Sequence, residues 1–277
     1  MVSQTTPNEM NGDMNMQVMM ETSPEIVPQV PQPPQQYAMF RGPSAYVPRT
    51  PWLPLAGIGA SLGIFLGAVL AVGLAMLTAS LLKFSTAEVV FQIIATLVQQ
   101  VAMIGLTWFA AARYGGYAVD VLALRAPAQG FKAYWVSLLL LALATVGMST
   151  LIHLIGFTVD KDDIKLFEAM FKSNWWWLAV ILVGVGAPLS EEFLCRGFLF
   201  SALAKSRIGS WGAAVVTSLG FALAHPYSVL AVTQVFVIGM LFSWMLVRTG
   251  SLRVTIACHA IFNTLQALML MHGVTTP

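Results

Sequence analysis

From Trp52 onward the chain alternates long apolar runs with short polar joints. A membrane-spanning helix needs about 20 consecutive apolar residues. Runs of that kind fall at about 55–82, 89–112, 134–157, 175–204, 228–247 and 252–271, with a shorter one at about 211–225. The one long charged interruption is DKDDIKLFEAMFKSN, residues 160–174, and Trp175, Trp176 and Trp177 follow it as an interfacial belt. Open strands would leave backbone N–H and C=O groups bare in lipid, so each run is predicted to be helical. The pattern therefore predicts an all-α, polytopic membrane helix bundle of about seven to eight transmembrane helices.

Residues 1–50 differ from everything after them. They are rich in Pro, Gln, Met and Asn and show neither a helical nor a strand period. Such a segment cannot bury a core and reads as a disordered tail ahead of a single transmembrane domain, 51–277. No basic region leads into an apolar stretch near Met1, so the tail is not a signal peptide.

Composition fits this picture. Hydrophobic residues make up 57% of the 277 and charged residues 9%, against about 25% charged in a soluble domain. A formal net charge of +2 without a basic cluster gives no reason to expect nucleic acid. With one span per long run, Arg41, Arg49, Arg113, Arg125, Lys132, Lys205, Arg207, Arg248 and Arg253 share one side. Lys83, Lys161, Lys165 and Lys172 share the other. The richer side, with the tail, is expected in the cytoplasm. Cys195 and Cys258 lie in apolar runs and read as packing residues rather than a disulfide.

Against this background the stretch LSEEFLCRGFLF, residues 189–200, stands out. A charge inside the bilayer costs at least a few kcal/mol (about 2.5–3.5 on insertion scales), so Glu191, Glu192 and Arg196 must face a partner or a wet cavity. Glu192 and Arg196 are four apart and share a helix face, whereas Glu191 lies about 100° around it. Either this is one structural ion pair with a second carboxylate beside it, or Arg196 neutralises Glu192 and leaves Glu191 for chemistry. Gly184, Gly186 and Pro188 weaken the helix just before. His225 ends the short run, and His259 and Asn263, four apart, share a face of the last. His153, His272, Gln99, Gln100 and Gln234 read more simply as packing or interhelical hydrogen-bonding residues. Ala213, Ala214, Ser218 and Ala222 would let neighbouring helices come close to the short run.

These residues spell E-E-x-x-x-R, F-x-x-x-H and H-x-x-x-N on successive apolar runs within 175–270. That order resembles the CPBP family of intramembrane proteases, which includes the CAAX prenyl endopeptidases and bacterial relatives linked to bacteriocin self-immunity. The first three runs carry no matching motif. The resemblance implies an intramembrane endopeptidase acting in the bilayer on a hydrophobic or lipidated peptide or membrane protein, possible prenylation included. Glu191 would be the base that activates a water, and His225 would help hold that water. His259 and Asn263 would donate to the developing oxyanion, and Arg196 would pair with Glu192. Phe221 would pack so as to aim His225.

Glu191, His225 and His259 could instead bind zinc, with water in the fourth position. Relatives of both kinds are described. The metal-independent form, with no cofactor, is favoured because it frees a histidine to act as a donor and because Arg196 disfavours a nearby cation. Two other classes compete. One is a non-catalytic scaffold or bacteriocin-immunity protein keeping the same fold. The other is a small transporter, but the chain has no internal repeat to support it.

Overall fold

The computed structural model describes Met1 and residues 45–83, 88–113, 117–157, 162–225 and 227–272. Up to residue 44, the expected disordered tail lies outside the described residues. All regular structure among the described residues is helical. The elements are α1 (Pro54–Leu81), α2 (Glu88–Ala112), the single turn α3 (Ala118–Val121), α4 (Lys132–Leu154) and α5 (Asp162–Phe171). They continue as α6 (Trp176–Ala204), α7 (Gly209–Leu223), α8 (Val229–Thr249) and α9 (Leu252–Met271).

Six of these, α1, α2, α4, α6, α8 and α9, are long and apolar enough to cross a membrane. The seventh run forms the 15-residue α7. At 1.5 Å per residue it is about 22 Å long, short of a hydrocarbon core of about 30 Å. Among the described residues, six helices are of spanning length and the seventh run is a shorter apolar helix. The shortening has a local cause: α7 starts at Gly209, whose φ is +60°, and stops just before Pro226 in the sequence. Ala213, Ala214, Ser218 and Ala222 of α7 are completely buried, as their size predicted.

The lipid-facing helices show why no apolar stripe was visible. On α1 only Gly57, Ser61, Ile64 and Ala68 are buried, one residue per turn along a single face. The opposite face carries exposed Leu62, Leu66, Leu70, Leu74 and Leu77. Lipid accepts these as readily as the protein core does, so sequence hydrophobicity does not separate inside from outside. Of the spanning helices α6 is the most enclosed. Its Phe193, Leu194, Phe198 and Phe200 form the main apolar core with Ile64, Ala68, Met103, Leu246 and Leu252. Trp175, Trp176 and Trp177 stay about half exposed, as a belt requires. His153 and His272 are exposed at helix ends.

The chain is already packed at Ala45, ahead of the domain start expected at 51. Ala45 N–H donates to Val247 O, and Tyr46 is buried edge-on to Phe200. Burial pushes the Tyr46 hydroxyl up to about 12, so it stays protonated. Trp52 stacks on Phe198 with ring centroids 4.6 Å apart. Arg49 pairs with Asp120 at 2.9 Å, and Lys205 Nζ donates to Thr50 O at 2.8 Å. Arg125 Nε donates to Gly250 O, and Arg253 Nε to Leu124 O. These four basic residues, all from the richer group, thus collect at one end of the bundle.

Gly250, with φ +67°, closes α8 beneath the Ala45 carbonyl, which any Cβ would strike. Gly250→Val should lower stability by at least about 1–2 kcal/mol from the backbone conformation alone. Thermal unfolding in mild detergent measures this.

Candidate functional site

The site starts from a defect in α6. Two stretches, Leu182–Gly186 and Phe193–Leu199, are π-helical, and the α-helical turn Ala187–Glu192 lies between them. Such bulges are rare and collect at functional sites. In the π register the carbonyl of residue i takes the N–H of i+5, as Leu182 O does with Ala187. Val183 O would need the N–H of residue 188, which is proline and has none. Asn263 Nδ2 of α9 supplies the missing donor to Val183 O at 3.1 Å. Gln100 Nε2 of α2 donates to the neighbouring Leu182 O at 3.0 Å. Gly184 and Gly186 permit both approaches. A Cβ on Gly184 would collide with Thr264 Oγ1, and one on Gly186 with Gln100 Oε1.

Glu192 and Arg196 are both fully buried, with Nη1 to Oε1 at 3.1 Å. This is the i, i+4 pair expected from their spacing. The same Oε1 also takes His259 Nδ1 at 3.1 Å. The Arg196 guanidinium lies 4.5 Å from the Phe221 ring centroid and 5.7 Å from that of Phe242. Gly239 makes room for it, since a Cβ there would come within 2.8 Å of Nη2. Phe221 meets the rings of both His225 and His259 edge-on, and Phe242 lies against His259 at 4.7 Å.

Glu191 points the other way, into a cavity. Its side chain is 22% exposed, with carboxylate oxygens 3.9 Å from His225 Nε2 and 3.7 Å from His259 Nε2. Hydrogen bonds at the far side of each ring fix the tautomers. His225 Nδ1 lies 2.8 Å from Phe221 O, and a carbonyl only accepts, so Nδ1 carries the proton. His259 Nδ1 faces the Glu192 carboxylate and is a donor by the same argument. In the neutral rings both Nε2 atoms are therefore bare acceptors turned toward a carboxylate. The separations are too long for direct hydrogen bonds. Three acceptors facing one another call for a shared donor or cation, and a water suits the first role.

The donor set also suits a divalent metal: bare imidazole nitrogens, each with its second nitrogen anchored, beside a carboxylate. Ligand atoms on a tetrahedral zinc with bonds of about 2.0–2.1 Å stand about 3.3–3.4 Å apart, somewhat closer than the gaps here. Among the described residues no three His, Cys, Asp or Glu side chains are grouped tightly enough to hold an ion as they stand.

The cavity holds about 1600 Å³ and takes lining residues from α1, α2, α4, α5, α6, α7, α8 and α9. Drug-sized pockets run to about 1,000 Å³, so this one has room for a chain segment. Its walls are mostly apolar, with Gln99, Gln234 and Asn263 among the polar exceptions. Cys195 also lines it, and Cys258 is buried among Phe242, Met245 and Val254; both thiols are free.

The structure thus brings together Glu191, Glu192, Arg196, His225, His259 and Asn263. Sequence reasoning missed Phe242 and Gly239, which carry no signal apart from apolarity and small size. Gln100 makes the interhelical hydrogen bond expected of it, to Leu182 O of α6.

The family model described as type II CAAX prenyl endopeptidase Rce1-like matches residues 173–265. All three motifs that resemble the CPBP family fall inside that segment. Over 95 residues the chain is 32% identical to an uncharacterized 24.3 kDa protein of Escherichia coli, covering 33% of this chain and 43% of that protein. The chain therefore spans less than half the length of this relative. No solved structure matches.

Removing Arg196 alone should leave the Glu192 carboxylate buried without its main counter-charge. Arg196→Met is expected to cost about 3–5 kcal/mol. Glu192→Met combined with Arg196→Met should cost much less than that single change. Denaturation of the three proteins in the same detergent tests the pair.

Proposed function

We propose that this chain is an intramembrane endopeptidase in which Glu191 activates a water against a peptide bond drawn into the cavity. The observation that carries the reading is the convergence of the Glu191 carboxylate and two bare Nε2 atoms at 3.7 and 3.9 Å on a cavity of about 1600 Å³. A water donating to Glu191 and to His225 Nε2 keeps its lone pairs free for attack. Glu191 takes the proton as the water adds to the carbonyl carbon, and later returns it to the leaving nitrogen.

The tautomers refine the role of His259. Its neutral Nε2 cannot donate to an oxyanion. With Nδ1 donating to Glu192, Nε2 is left as an acceptor facing Glu191, and the donor role toward the oxyanion falls to Asn263. Asn263 has one amide hydrogen on Val183 O and a second left to donate. The matched family supports peptide hydrolysis at the membrane, and the apolar cavity supports a hydrophobic or lipidated substrate. The end that gathers Arg49, Arg125, Lys205 and Arg253 is assigned to the cytoplasm on the balance of basic residues.

Wild-type protein in lipid, given a mixed library of hydrophobic peptides, some prenylated, should generate new termini detectable by mass spectrometry. Glu191→Gln and His225→Ala should abolish them while unfolding at the wild-type temperature. Full cleavage by folded Glu191→Gln would end the assignment, and cleavage by neither protein would favour a non-catalytic scaffold or immunity role.

The bare Nε2 pair keeps one second reading in view, a zinc-activated water. On the favoured metal-independent mechanism, exhaustive chelation leaves the cleavage rate unchanged. Loss of activity on chelation and return with stoichiometric zinc would establish the metal reading instead.

A further inference from the structure

The motifs account for α6, α7 and α9 but leave α2 without a role. Yet α2 sends one polar side chain into the heart of the site. Gln100 is 7% exposed, its Nε2 holds Leu182 O at 3.0 Å, and its Oε1 has no hydrogen-bond partner among the described residues. Its amide rests directly on Gly186, where any Cβ would collide with it. It is also one of the residues that line the cavity alongside Glu191.

We infer that Gln100 is a positioning residue for Glu191, so that the working site extends onto α2, outside the segment 173–265 that matches the protease family. The inference rests on the reading of Glu191 as the base. The physical case begins with the carbonyls of the π turn. At the register change Leu182 O accepts the Ala187 N–H and has a second lone pair to offer. Val183 O has no such N–H within the helix because residue 188 is proline. In lipid-embedded protein such a group must find a donor from a neighbour. Asn263 is that donor for Val183 O, and Gln100 adds a second donor to Leu182 O; they come from two different helices, α9 and α2. Together they clamp the turn from α9 and α2. A clamp of that kind fixes both the rotation and the rise of the next turn, Ala187–Glu192, which carries Glu191. Asn263 and the Gly184–Thr264 packing hold the turn from α9, and Gln100 adds the hydrogen bond from α2.

Two features distinguish this from ordinary interhelical packing. The only residue at 186 that admits the amide is glycine, so Gln100 and Gly186 form a matched pair. And the carbonyl that Gln100 holds lies nine residues before Glu191, on the same continuous helix, with no loop to absorb an error. A shift at Leu182 is therefore passed on to the carboxylate. A displacement of about 1 Å at a reacting group can cost about 100-fold in rate.

The test uses Gln100→Met, which keeps length and apolar packing but removes the donor. In full-length protein in lipid, kcat should fall about 10- to 100-fold, with KM within about twofold because the cavity wall is kept. The unfolding temperature should stay close to wild type. Wild-type kcat per folded molecule, or a loss confined to KM, overturns the inference. If Gln100→Met fails to fold, Gly186→Ala decides the matter, since it displaces the amide from the opposite side. The same selective loss of kcat supports the inference, and an unchanged kcat overturns it. An infrared measurement keeps the inference separate from the proposed function. The Glu191 carboxyl band, identified by its loss in Glu191→Gln, should shift in Gln100→Met whether or not any substrate is cleaved. A wild-type protein that cleaves nothing would sink the protease reading, and an unmoved band would sink this one.

Discussion

A single carboxylate oxygen holds much of this site in place. Glu192 Oε1 accepts from Arg196 on its own helix and from His259 on α9. Inside a membrane protein no water reaches a fully buried carboxylate, so its charge must be met by donors the fold supplies. The chain meets it with a guanidinium four residues on, enclosed between Phe221 and Phe242. Each ring then serves a second purpose. Phe221 passes its backbone carbonyl to His225 Nδ1, and Phe242 lies against His259. The tautomer of His225 follows from the Phe221 carbonyl and that of His259 from Glu192, and with them the direction in which their lone pairs point. The chemistry assigned to Glu191 depends on an ion pair it does not join.

The same rule governs the backbone. A proline in a soluble helix loses one hydrogen bond and leaves a carbonyl to water. Here water is scarce, and the lost bond becomes a place where another helix must dock. Pro188, Gly184 and Gly186 read in sequence as weakness in a helix. In the structure they form a socket. Gly184 admits Thr264, Gly186 admits Gln100, and the carbonyl without a proline donor takes Asn263. Asn263 is thereby a structural clamp as well as a candidate donor, a double role that its four-residue spacing from His259 did not reveal.

How much could be read in advance follows from what lipid does to a sequence pattern. Helical runs were visible because the bilayer admits helices and almost nothing else of comparable length. The ion pair was visible because lipid cannot meet a lone charge, while a counter-charge four residues on lies within reach on the same helix face. The inward faces of α1 and α4 were not, because lipid-exposed and buried positions are equally apolar. The short run was visible too, at 211–225 against the helix Gly209–Leu223, because the joints on either side of it break the apolar pattern. The π turns escaped notice. A proline signals a broken bond, but whether the helix kinks or widens by one residue depends on the donors opposite. Those donors lie 82 and 80 residues away in sequence.

That distance bears on what the first three runs are for. They carry no protease motif and fall outside the matched segment, which invites the view that they merely fill the membrane. The contacts argue otherwise. Ser61 and Phe65 of α1, Thr96 and Gln99 of α2, and Thr145 and Ser149 of α4 all face the cavity that holds Glu191. A motif helix can present a carboxylate, but it cannot by itself enclose a substrate or keep lipid away from a water nucleophile. A protein sharing only the segment 173–265 would share the motif residues but not the walls that α1, α2 and α4 give this cavity. On the proposed reading, the walls that would meet a substrate are built in part from α1, α2 and α4, where family resemblance is silent.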